Sequence, residues 1–383
     1  MKMYMRHKIN NDSELRMNVY LLLLLLFLCL LGSSLEILSG KSCRFLFIVI
    51  LGLSAFIFAT RNPNVVPDAE VYIYVYHRME EANFNSWSLY NFYGFEPGYI
   101  FLNILCNKLG VTYVGFFAIV YLAQTLIAYK GMKILDSVHN NYVEKPKTFG
   151  ACTFFAIYFG YFGMFYGAVV IRTGLALSLM FLAYANYQAR KNKKAICYAC
   201  IAILFHTSII ILLLTILVST MFVKKSNQFY KNWLMIIVML WLSRISIFMN
   251  KIILAFMKVV GWIIPALGKY IGYTNGLMGS GFFSKKNFLY LMLGVLFVMC
   301  LDRVKDKKYK NCLNVYLMGL TATYLLNEYS NGYRVFDQMI FFSLPLLLWV
   351  LRDGGIKKMV NRLICVEIVA LLQFLMTYRI LVK

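Results

Sequence analysis

Charged side chains are scarce in this sequence. They make up 14% of the 383 residues, whereas soluble globular domains average about 25%. Apolar residues account for 61%, and a soluble protein of that composition could not cover its surface with polar groups. Membrane lipid must therefore be part of its solvent. The sequence also has no long polar stretch that could form a second domain, so we expect one integral membrane domain over residues 1–383.

Acidic residues are especially few. Asp and Glu number 16 against 39 Lys and Arg, which gives a net charge of +23. A basic protein can bind nucleic acid, but here the basic residues stand in short clusters between apolar runs. That pattern is typical of a protein that crosses the membrane many times. We therefore expect no nucleic-acid partner.

Motifs for metals, cofactors and disulfides are also missing. The sequence has no Gly-rich phosphate loop, no Asp-x-Asp and no His/Cys/Asp grouping with the spacing of metal ligands. Of the nine cysteines, Cys197 and Cys200 make a C-x-x-C, but without a second pair we interpret them as small apolar residues of a membrane helix. We expect no metal and no cofactor, so any phosphate chemistry would depend on cations of the protein itself.

Apolar runs of about 17–25 residues, or slightly shorter, can cross a bilayer as helices. They fall near 18–38, 44–60, 111–130, 149–166, 168–189, 232–249, 287–301, 311–327, 337–351 and 359–379. Two more stretches are ambiguous: 195–222 suits one tilted helix or a re-entrant hairpin, and 252–268 is broken by Lys258 and Pro265. The sequence thus predicts an all-α, polytopic membrane protein with ten to twelve transmembrane helices. The first is an uncleaved N-terminal span.

The basic loops predict the orientation, because cytoplasmic loops carry an excess of Lys and Arg. Alternating the spans groups 41–44, 130–147, 190–194, 224–231, 302–310 and 352–362 on one side, and these loops hold 22 of the 39 basic residues. That side is predicted to be cytoplasmic. The N-terminus then lies outside, which its own four basic residues oppose. The segments 61–110 and 250–286 become outer, periplasmic loops that carry short helices, and 328–336 is also outside.

The first outer loop has a composition that suits sugars. Residues 61–96 contain five carboxylates against two arginines and are rich in Tyr, Phe, Trp and Asn. Aromatic faces can stack on the C–H faces of sugars, while carboxylates and amides bind hydroxyls. An ordinary aromatic belt at the membrane surface explains the same composition equally well.

Arg172 and His206 lie within apolar runs and are candidates for function, because charge is costly there. Arg172 falls near the outer edge of its span, about 27 Å from Arg190 at a rise of about 1.5 Å per residue. It either reaches the surface as a snorkelling side chain or binds a lipid-linked phosphate. His206 lies about 18 Å along a helix from Lys194. Its side chain either makes a hydrogen bond to a neighbouring helix or faces a water-filled cavity.

Three further charged residues lie in or beside spans. Arg334 is at the outer end of its span, close in sequence to Glu328, Tyr333 and Asp337. Arg244 and Glu367 lie within spans, and we interpret them as structural pairs.

The order of short motifs resembles a known family. The motifs are R-x6-D-x3-Y (Arg61, Asp68, Tyr72), E-P-G-Y (Glu96 to Tyr99), I-R-x-G-L-A (Ile171 to Ala176), F-H-x-S (Phe205 to Ser208) and a late Y-R (Tyr333, Arg334). Together they resemble the EpsG-like family of exopolysaccharide and O-antigen polymerases, the Wzy-type enzymes. The resemblance extends over about residues 40–350.

The resemblance implies a GT-C-like membrane glycosyltransferase with a periplasmic-facing cavity in the bacterial inner membrane. Such an enzyme joins oligosaccharide repeat units carried on undecaprenyl diphosphate and uses neither metal nor nucleotide sugar. A hydroxyl of one unit attacks the anomeric carbon that links the growing chain to its lipid diphosphate. The implied partners are these lipid-linked units, membrane lipid and a chain-length regulator protein.

This chemistry assigns expected roles. Cations should stabilise charge on the leaving diphosphate, for which the candidates are Arg172, Arg334 and Arg61. The attacking hydroxyl needs a general base; we favour Asp68, with His206 as a substrate contact or an alternative base. The expected catalytic residues are Asp68, His206 and Arg172. Sugar-binding or supporting roles fall to Tyr72, Glu96 and Tyr333.

Two other functions compete with polymerisation. An O-antigen ligase would use the same donor but tends to have a larger periplasmic domain than the 37 residues of 250–286. A flippase of lipid-linked units would be a transporter, and transporters often contain internal repeats. We find no such repeat.

Overall fold

The computed structural model describes residues 19–82 except 65 and 67, 94–140, 150–263, 284–326 except 305, 332–353 and 359–382. Every regular element in these ranges is helical. The helices are α1 (Val19–Ser39), α2 (Arg44–Ala59), α3 (Ala69–Arg78), α4 (Pro97–Lys108), α5 (Tyr113–Asn140), α6 (Ala151–Tyr158), α7 (Ile171–Gln188), α8 (Asn192–Phe205), α9 (Ile209–Ser219), α10 (Asn227–Ser243), α11 (Ile245–Ile263), α12 (Lys285–Met299), α13 (Lys307–Leu325), α14 (Gly332–Ile340), α15 (Ser343–Asp353) and α16 (Met359–Val382).

The chain packs into two compact units. Unit 1 comprises Met1–Ile209 with Lys357–Lys383, and unit 2 comprises Ile210–Ile356. This division does not test the prediction of a single integral membrane domain, because both units consist largely of apolar helices.

Unit 1 is built around α6 and α7. The chain is buried almost without interruption from Ala151 to Asn186. Helix α7 packs between α5 and α8, while α6 packs against α1, α2 and α16. The short helices α3 and α4 pack on each other, and α4 also contacts α8. The side chains of α6 and α7 are apolar nearly all round, as expected for helices enclosed by others.

Two π-helical turns join α6 to α7, at Phe159–Gly163 and Phe165–Val169. Within them, aromatic rings four residues apart stack almost parallel: Tyr161 on Phe165, with centroids 5.6 Å apart, and Phe162 on Tyr166, at 6.3 Å. Gly160 permits a close approach to α16, because a Cβ there would lie 2.7 Å from the carbonyl oxygen of Ala370. The second π-helical turn ends just before α7, and Arg172 is the second residue of that helix.

Unit 2 is built around α13, which contacts α10, α12, α14 and α15. Its buried core includes Tyr309, Tyr316 and Trp349. The hydroxyl of Tyr316 donates to the carbonyl of Tyr290 at 2.5 Å, and that of Tyr309 to the carbonyl of Phe297 at 2.7 Å. These bonds pair phenol groups with backbone carbonyls of α12 and so satisfy polar atoms inside an apolar unit.

The architecture is that of an all-α membrane protein. Within the described ranges, four helical segments are long and apolar enough to cross a membrane: Val19–Ser39, Tyr113–His139, Arg334–Asp353 and Met359–Arg379. Shorter apolar helices occur at Arg44–Ala59, Ala151–Gly163 and Ile209–Phe222. Large apolar side chains such as Phe27, Phe45 and Ile48 are exposed, as helices that face lipid require. The number of ten to twelve crossings stays a prediction.

The structure refines several predicted segments. The segment 61–110, which is predicted to be an outer loop, carries α3 and α4. The stretch 195–222 is not one continuous helix, since α8 ends at Phe205 and α9 begins at Ile209. The predicted span 232–249 is interrupted at Arg244, which has a left-handed backbone (φ 52°) between α10 and α11. Helix α11 continues through Lys258, so the break expected there was wrong. Pro265 lies outside the described residues.

Candidate functional site

The site begins with the backbone at Glu96, the residue before α4. Its extended conformation (φ −70°, ψ 150°) and Pro97 at the first helical position are typical of a helix start. A carboxylate at this position usually caps its own helix, but here it makes no such bond. The carboxylate of Glu96 instead accepts hydrogen bonds from α7 and from the break after α8.

Gly98 allows this approach. A Cβ at residue 98 would lie 2.8 Å from the carbonyl oxygen of Leu204 and 3.1 Å from its Cβ. The first turn of α4 therefore lies directly against the last turn of α8. Each residue of the E-P-G sequence thus has a physical role. Glu96 is the hydrogen-bond acceptor, Pro97 fixes the start of the helix, and Gly98 has no side chain to obstruct the contact.

The break after α8 supplies two hydrogen bonds. His206 has an extended backbone (φ −161°, ψ 116°), which ends the helix. Its Nδ1 lies 2.8 Å from Glu96 Oε1, and the backbone N–H of Thr207 donates to the same oxygen at 3.1 Å. The Thr207 hydroxyl is 3.5 Å from that oxygen.

Arg172 occupies the other carboxylate oxygen. It lies in the first turn of α7, and its Nη1 donates to Glu96 Oε2 at 2.5 Å. The guanidinium carbon is 3.8 Å from the centroid of the Phe95 ring and 6.0 Å from those of Tyr72 and Tyr99. Its Nε is buried without a hydrogen-bond partner. We call Glu96, Arg172, His206 and Thr207 the Glu96 cluster.

The charge on Glu96 is firmly held. Burial opposes its ionisation, but the hydrogen bond from His206 and the charge of Arg172 outweigh burial and lower the pKa of Glu96 to about 2. Glu96 is therefore a carboxylate near neutral pH. It can accept hydrogen bonds but cannot donate one.

Arg61 provides a second cation in unit 1. Its side chain is buried, its Nη1 donates to the carbonyl of Phe58 at 2.6 Å, and its guanidinium carbon lies 3.9 Å from the centroid of Phe117. Burial lowers the pKa of Arg61 to about 10, so the group remains positive near neutral pH. Its Nε and Nη2 have no hydrogen-bond partner. Like Arg172, it lies near Tyr72 and Tyr99.

Unit 1 therefore brings together residues of four separated motifs. Tyr72 is buried against Phe95 and Tyr99, with ring centroids 5.6 and 5.9 Å away. Asp68 lies exposed at the start of α3, with a left-handed backbone (φ 64°), and its carbonyl accepts from the N–H of Tyr72 at 3.1 Å. These placements leave the predicted roles untested.

Arg334 lies in unit 2, on α14, one turn before Asp337. Asp337 is buried and accepts bonds from Lys286 Nζ at 2.8 Å to both of its oxygens. Sequence reasoning missed this pair, although Lys286 stands next to the predicted outer end of the span 287–301. The side chain of Tyr333 lies outside the described residues. Glu367, interpreted as part of a structural pair, accepts from the hydroxyl of Ser34 at 3.0 Å.

Sequence reasoning also missed Phe95, Gly98 and the backbone of Thr207. A glycine directly after a helix-starting Glu-Pro was the available signal for Gly98.

The motifs that meet in unit 1 are those on which the family resemblance depends, and the chain matches the EpsG family over residues 44–381. The chain belongs to the EpsG family. The predicted family is thereby confirmed, and with it a membrane protein of polysaccharide biosynthesis. No curated protein and no solved structure is similar enough to match the chain.

Proposed function

We propose that this EpsG-family protein is a polymerase of O-antigen or a related exopolysaccharide. It acts as a multi-pass, GT-C-like glycosyltransferase with ten to twelve spans in the bacterial inner membrane. Its substrates are oligosaccharide repeat units carried on undecaprenyl diphosphate, which meet in a cavity facing the periplasm. The reaction uses charges of the protein itself in place of a metal, and a separate protein regulates chain length.

The observation that carries the proposal is the Glu96 cluster. Family membership supports polysaccharide chemistry, and the cluster supplies the kind of groups that glycosyl transfer to and from a diphosphate needs. An arginine and a histidine from two separate segments share the carboxylate of Glu96, which comes from a third segment, in a partly buried position. Simple structural pairing would not require all three.

Arg172 is suited to bind the leaving diphosphate. As the glycosidic bond breaks, negative charge grows on the diphosphate oxygen, and a cation already fixed in place stabilises it without reorganisation. Glu96 and Phe95 hold the guanidinium on two sides, and its Nε still has a hydrogen to donate. Arg61 adds positive charge beside the same tyrosines. Arg334, in unit 2, is a further candidate for binding the diphosphate.

The aromatic cluster of Tyr72, Phe95 and Tyr99 supports the sugar side of the proposal. The rings pack on one another and border the guanidinium of Arg172. In this proposal, Tyr72 and Tyr333 orient sugar or support the charged residues. Asp68 lies on the same outer loop as a candidate for contacting the acceptor sugar.

Deletion of the gene tests the function. The lipopolysaccharide of the deletion strain should show core with a single repeat unit on a gel, and the gene on a plasmid should restore the ladder of longer chains. A strain that loses O-antigen completely would contradict the proposal, because that phenotype indicates a ligase or a flippase.

Substitutions test the proposed roles of Arg172, Arg334 and His206. Arg172→Ala, Arg334→Ala and His206→Ala should each lose the ladder while their amounts in the membrane stay normal on an immunoblot. Arg78→Ala is the matched control, since Arg78 is an exposed arginine at the end of α3, and it should give a normal ladder. A normal ladder from Arg172→Ala would show that Arg172 is not needed for the reaction and serves only as a snorkelling side chain.

A further inference from the structure

Polymerisation requires a group that takes the proton from the attacking hydroxyl, and the short motifs of unit 1 contain three candidates. They are Asp68, Glu96 and His206. Asp68 is exposed at the start of α3. Glu96 and His206 contact each other in the Glu96 cluster, and the geometry of that contact separates their roles.

The contact determines which nitrogen of His206 carries a hydrogen. Glu96 is ionised and can only accept hydrogen bonds, so the short contact between its Oε1 and Nδ1 requires Nδ1 to be the donor. In a neutral imidazole the other nitrogen, Nε2, then has a lone pair. The backbone of Thr207 also donates to Oε1 and keeps that oxygen in place.

We infer that His206 is the general base of the polymerase, that its Nε2 accepts the proton, and that Glu96 is the positioning residue that holds its Nδ1. This inference rests on the proposed function. It replaces Asp68, which the sequence alone favours as the base. The arrangement matches the logic of a carboxylate–histidine pair, in which the carboxylate fixes the imidazole's tautomer and stabilises the imidazolium that forms.

The local backbone supports this role. The helix ends at Phe205, and the extended conformation of His206 places its ring beyond the last turn of α8. The side chain of His206 is 21% exposed, whereas that of Glu96 is 8% exposed. His206, whose Nε2 has the lone pair, is therefore the more accessible member of the pair. In the part of the chain that the structure describes, the titratable groups that face His206 are Glu96 from the start of α4 and, across the same carboxylate, Arg172 from α7.

The proposed step balances as a single displacement. The O–H bond of the acceptor hydroxyl breaks and its proton passes to Nε2, while the oxygen forms a bond to the anomeric carbon of the donor. The bond between that carbon and the diphosphate oxygen breaks, and its electron pair leaves with the diphosphate, beside Arg172. The imidazolium is stabilised by Glu96 and later releases its proton to water.

Glu96 thereby links the two halves of the reaction. The same carboxylate holds the cation that receives the leaving group and the imidazole that receives the proton. The bond to Arg172 also prevents Glu96 from acting as the base itself, because it stabilises the ionised form and weakens its affinity for a proton.

The test uses the full-length protein in liposomes with a synthetic lipid-diphosphate-linked repeat unit. His206→Gln keeps a hydrogen-bonding group but cannot act as a base, so kcat should fall about 10²–10⁴-fold while KM stays within about threefold. The wild-type rate should fall at acid pH because a protonated imidazole cannot accept a second proton. This acid limb should be missing in the residual activity of His206→Gln. Added imidazole should partly restore His206→Ala.

The chain offers a matched control. His77 on α3 also contacts a glutamate, Glu80, through Nδ1, but this pair is half-exposed and lies between neighbouring turns. His77→Gln should leave kcat and the pH profile unchanged. Glu96→Gln should lower kcat at least tenfold, because the imidazolium that forms loses its counter-charge.

The outcomes distinguish this inference from the function on which it rests. A wild-type protein that makes no polymer from the lipid-linked unit would overturn the proposed function. An active wild type with a His206→Gln variant that keeps kcat within about threefold, or keeps the acid limb, would overturn the inference alone. Failure of imidazole to rescue a folded His206→Ala would also count against it.

Discussion

Glu96 accepts bonds from residues that follow it in the chain by 76 positions, in the case of Arg172, and by 110 positions, in the case of His206. Sequence reasoning picked out all three residues but gave Glu96 only a sugar-binding or supporting role. The local pattern around residue 96 contains no information about partners so far along the chain. The packing of α4 against α8, and of α8 against α7, brings them together.

At the residue scale, Gly98 provides a test of that packing. We expect Gly98→Ala to lower stability by about 1–3 kcal/mol, the usual cost of overpacking, because the new Cβ meets the backbone of Leu204 and not a flexible side chain. The shift should also separate Glu96 from His206 and reduce the polymerisation rate at least tenfold. Thermal unfolding in detergent and the liposome assay measure the two effects.

Gly52→Ala is the control for this change. Gly52 lies within α2, and a Cβ there meets nothing within 4 Å. The alanine should be neutral or stabilise the protein by up to about 1 kcal/mol, because alanine favours helix more than glycine does. Equal effects of the two substitutions would show that α4 does not depend on close contact with α8.

At the element scale, a buried carboxylate joins the starts of two helices. Glu36 of α1 accepts from the backbone N–H of Cys43, before α2, at 3.1 Å, and from the N–H and hydroxyl of Thr153, in the first turn of α6, at 2.8 and 3.0 Å. Helix starts leave N–H groups without partners and favour negative charge. Glu36 therefore satisfies both starts and fixes α2 and α6 to α1.

Glu36→Ala should lower stability by at least about 2 kcal/mol, since each buried donor left without a partner costs about 1–3 kcal/mol. Glu36→Gln should cost less, because it keeps one acceptor oxygen. Glu81→Ala, at an exposed position, should have little effect. The apparent Tm in detergent measures all three, and a Glu36→Ala variant as stable as Glu81→Ala would refute the bridging role.

The same element shows what the sequence could and could not predict. The apolar run around 18–38 predicts α1 within one or two residues, because length and hydropathy are local properties. The role of Glu36 near its end was not predicted, since the donors come from the starts of two other helices. The π-helical turns before Arg172 were also missed, because hydropathy does not distinguish them from a regular helix. The break at His206 was partly anticipated, since 195–222 is too long for a simple span.

At the scale of the whole molecule, the proposed reaction depends on which side of the membrane the Glu96 cluster faces. Loops on the predicted cytoplasmic side hold 22 of the 39 basic residues, and this charge bias sets the orientation of membrane proteins. Glu96 belongs to the loop 61–110 on the opposite side. The N-terminal basic residues favour the reverse orientation, so sidedness needs a direct measurement.

Thiol labelling measures on which side of the membrane the Glu96 cluster lies. In a background without the native cysteines, Glu81→Cys should react with a membrane-impermeant maleimide in intact spheroplasts, because residue 81 is exposed and lies in the predicted outer loop. Lys191→Cys, exposed in the short turn between α7 and α8, should react only after the membrane is permeabilised. Both variants must retain the polysaccharide ladder, so that labelling reports the active protein. The opposite labelling pattern would place Glu96, Arg172 and His206 toward the cytoplasm, where a periplasmic polymerase could not use them.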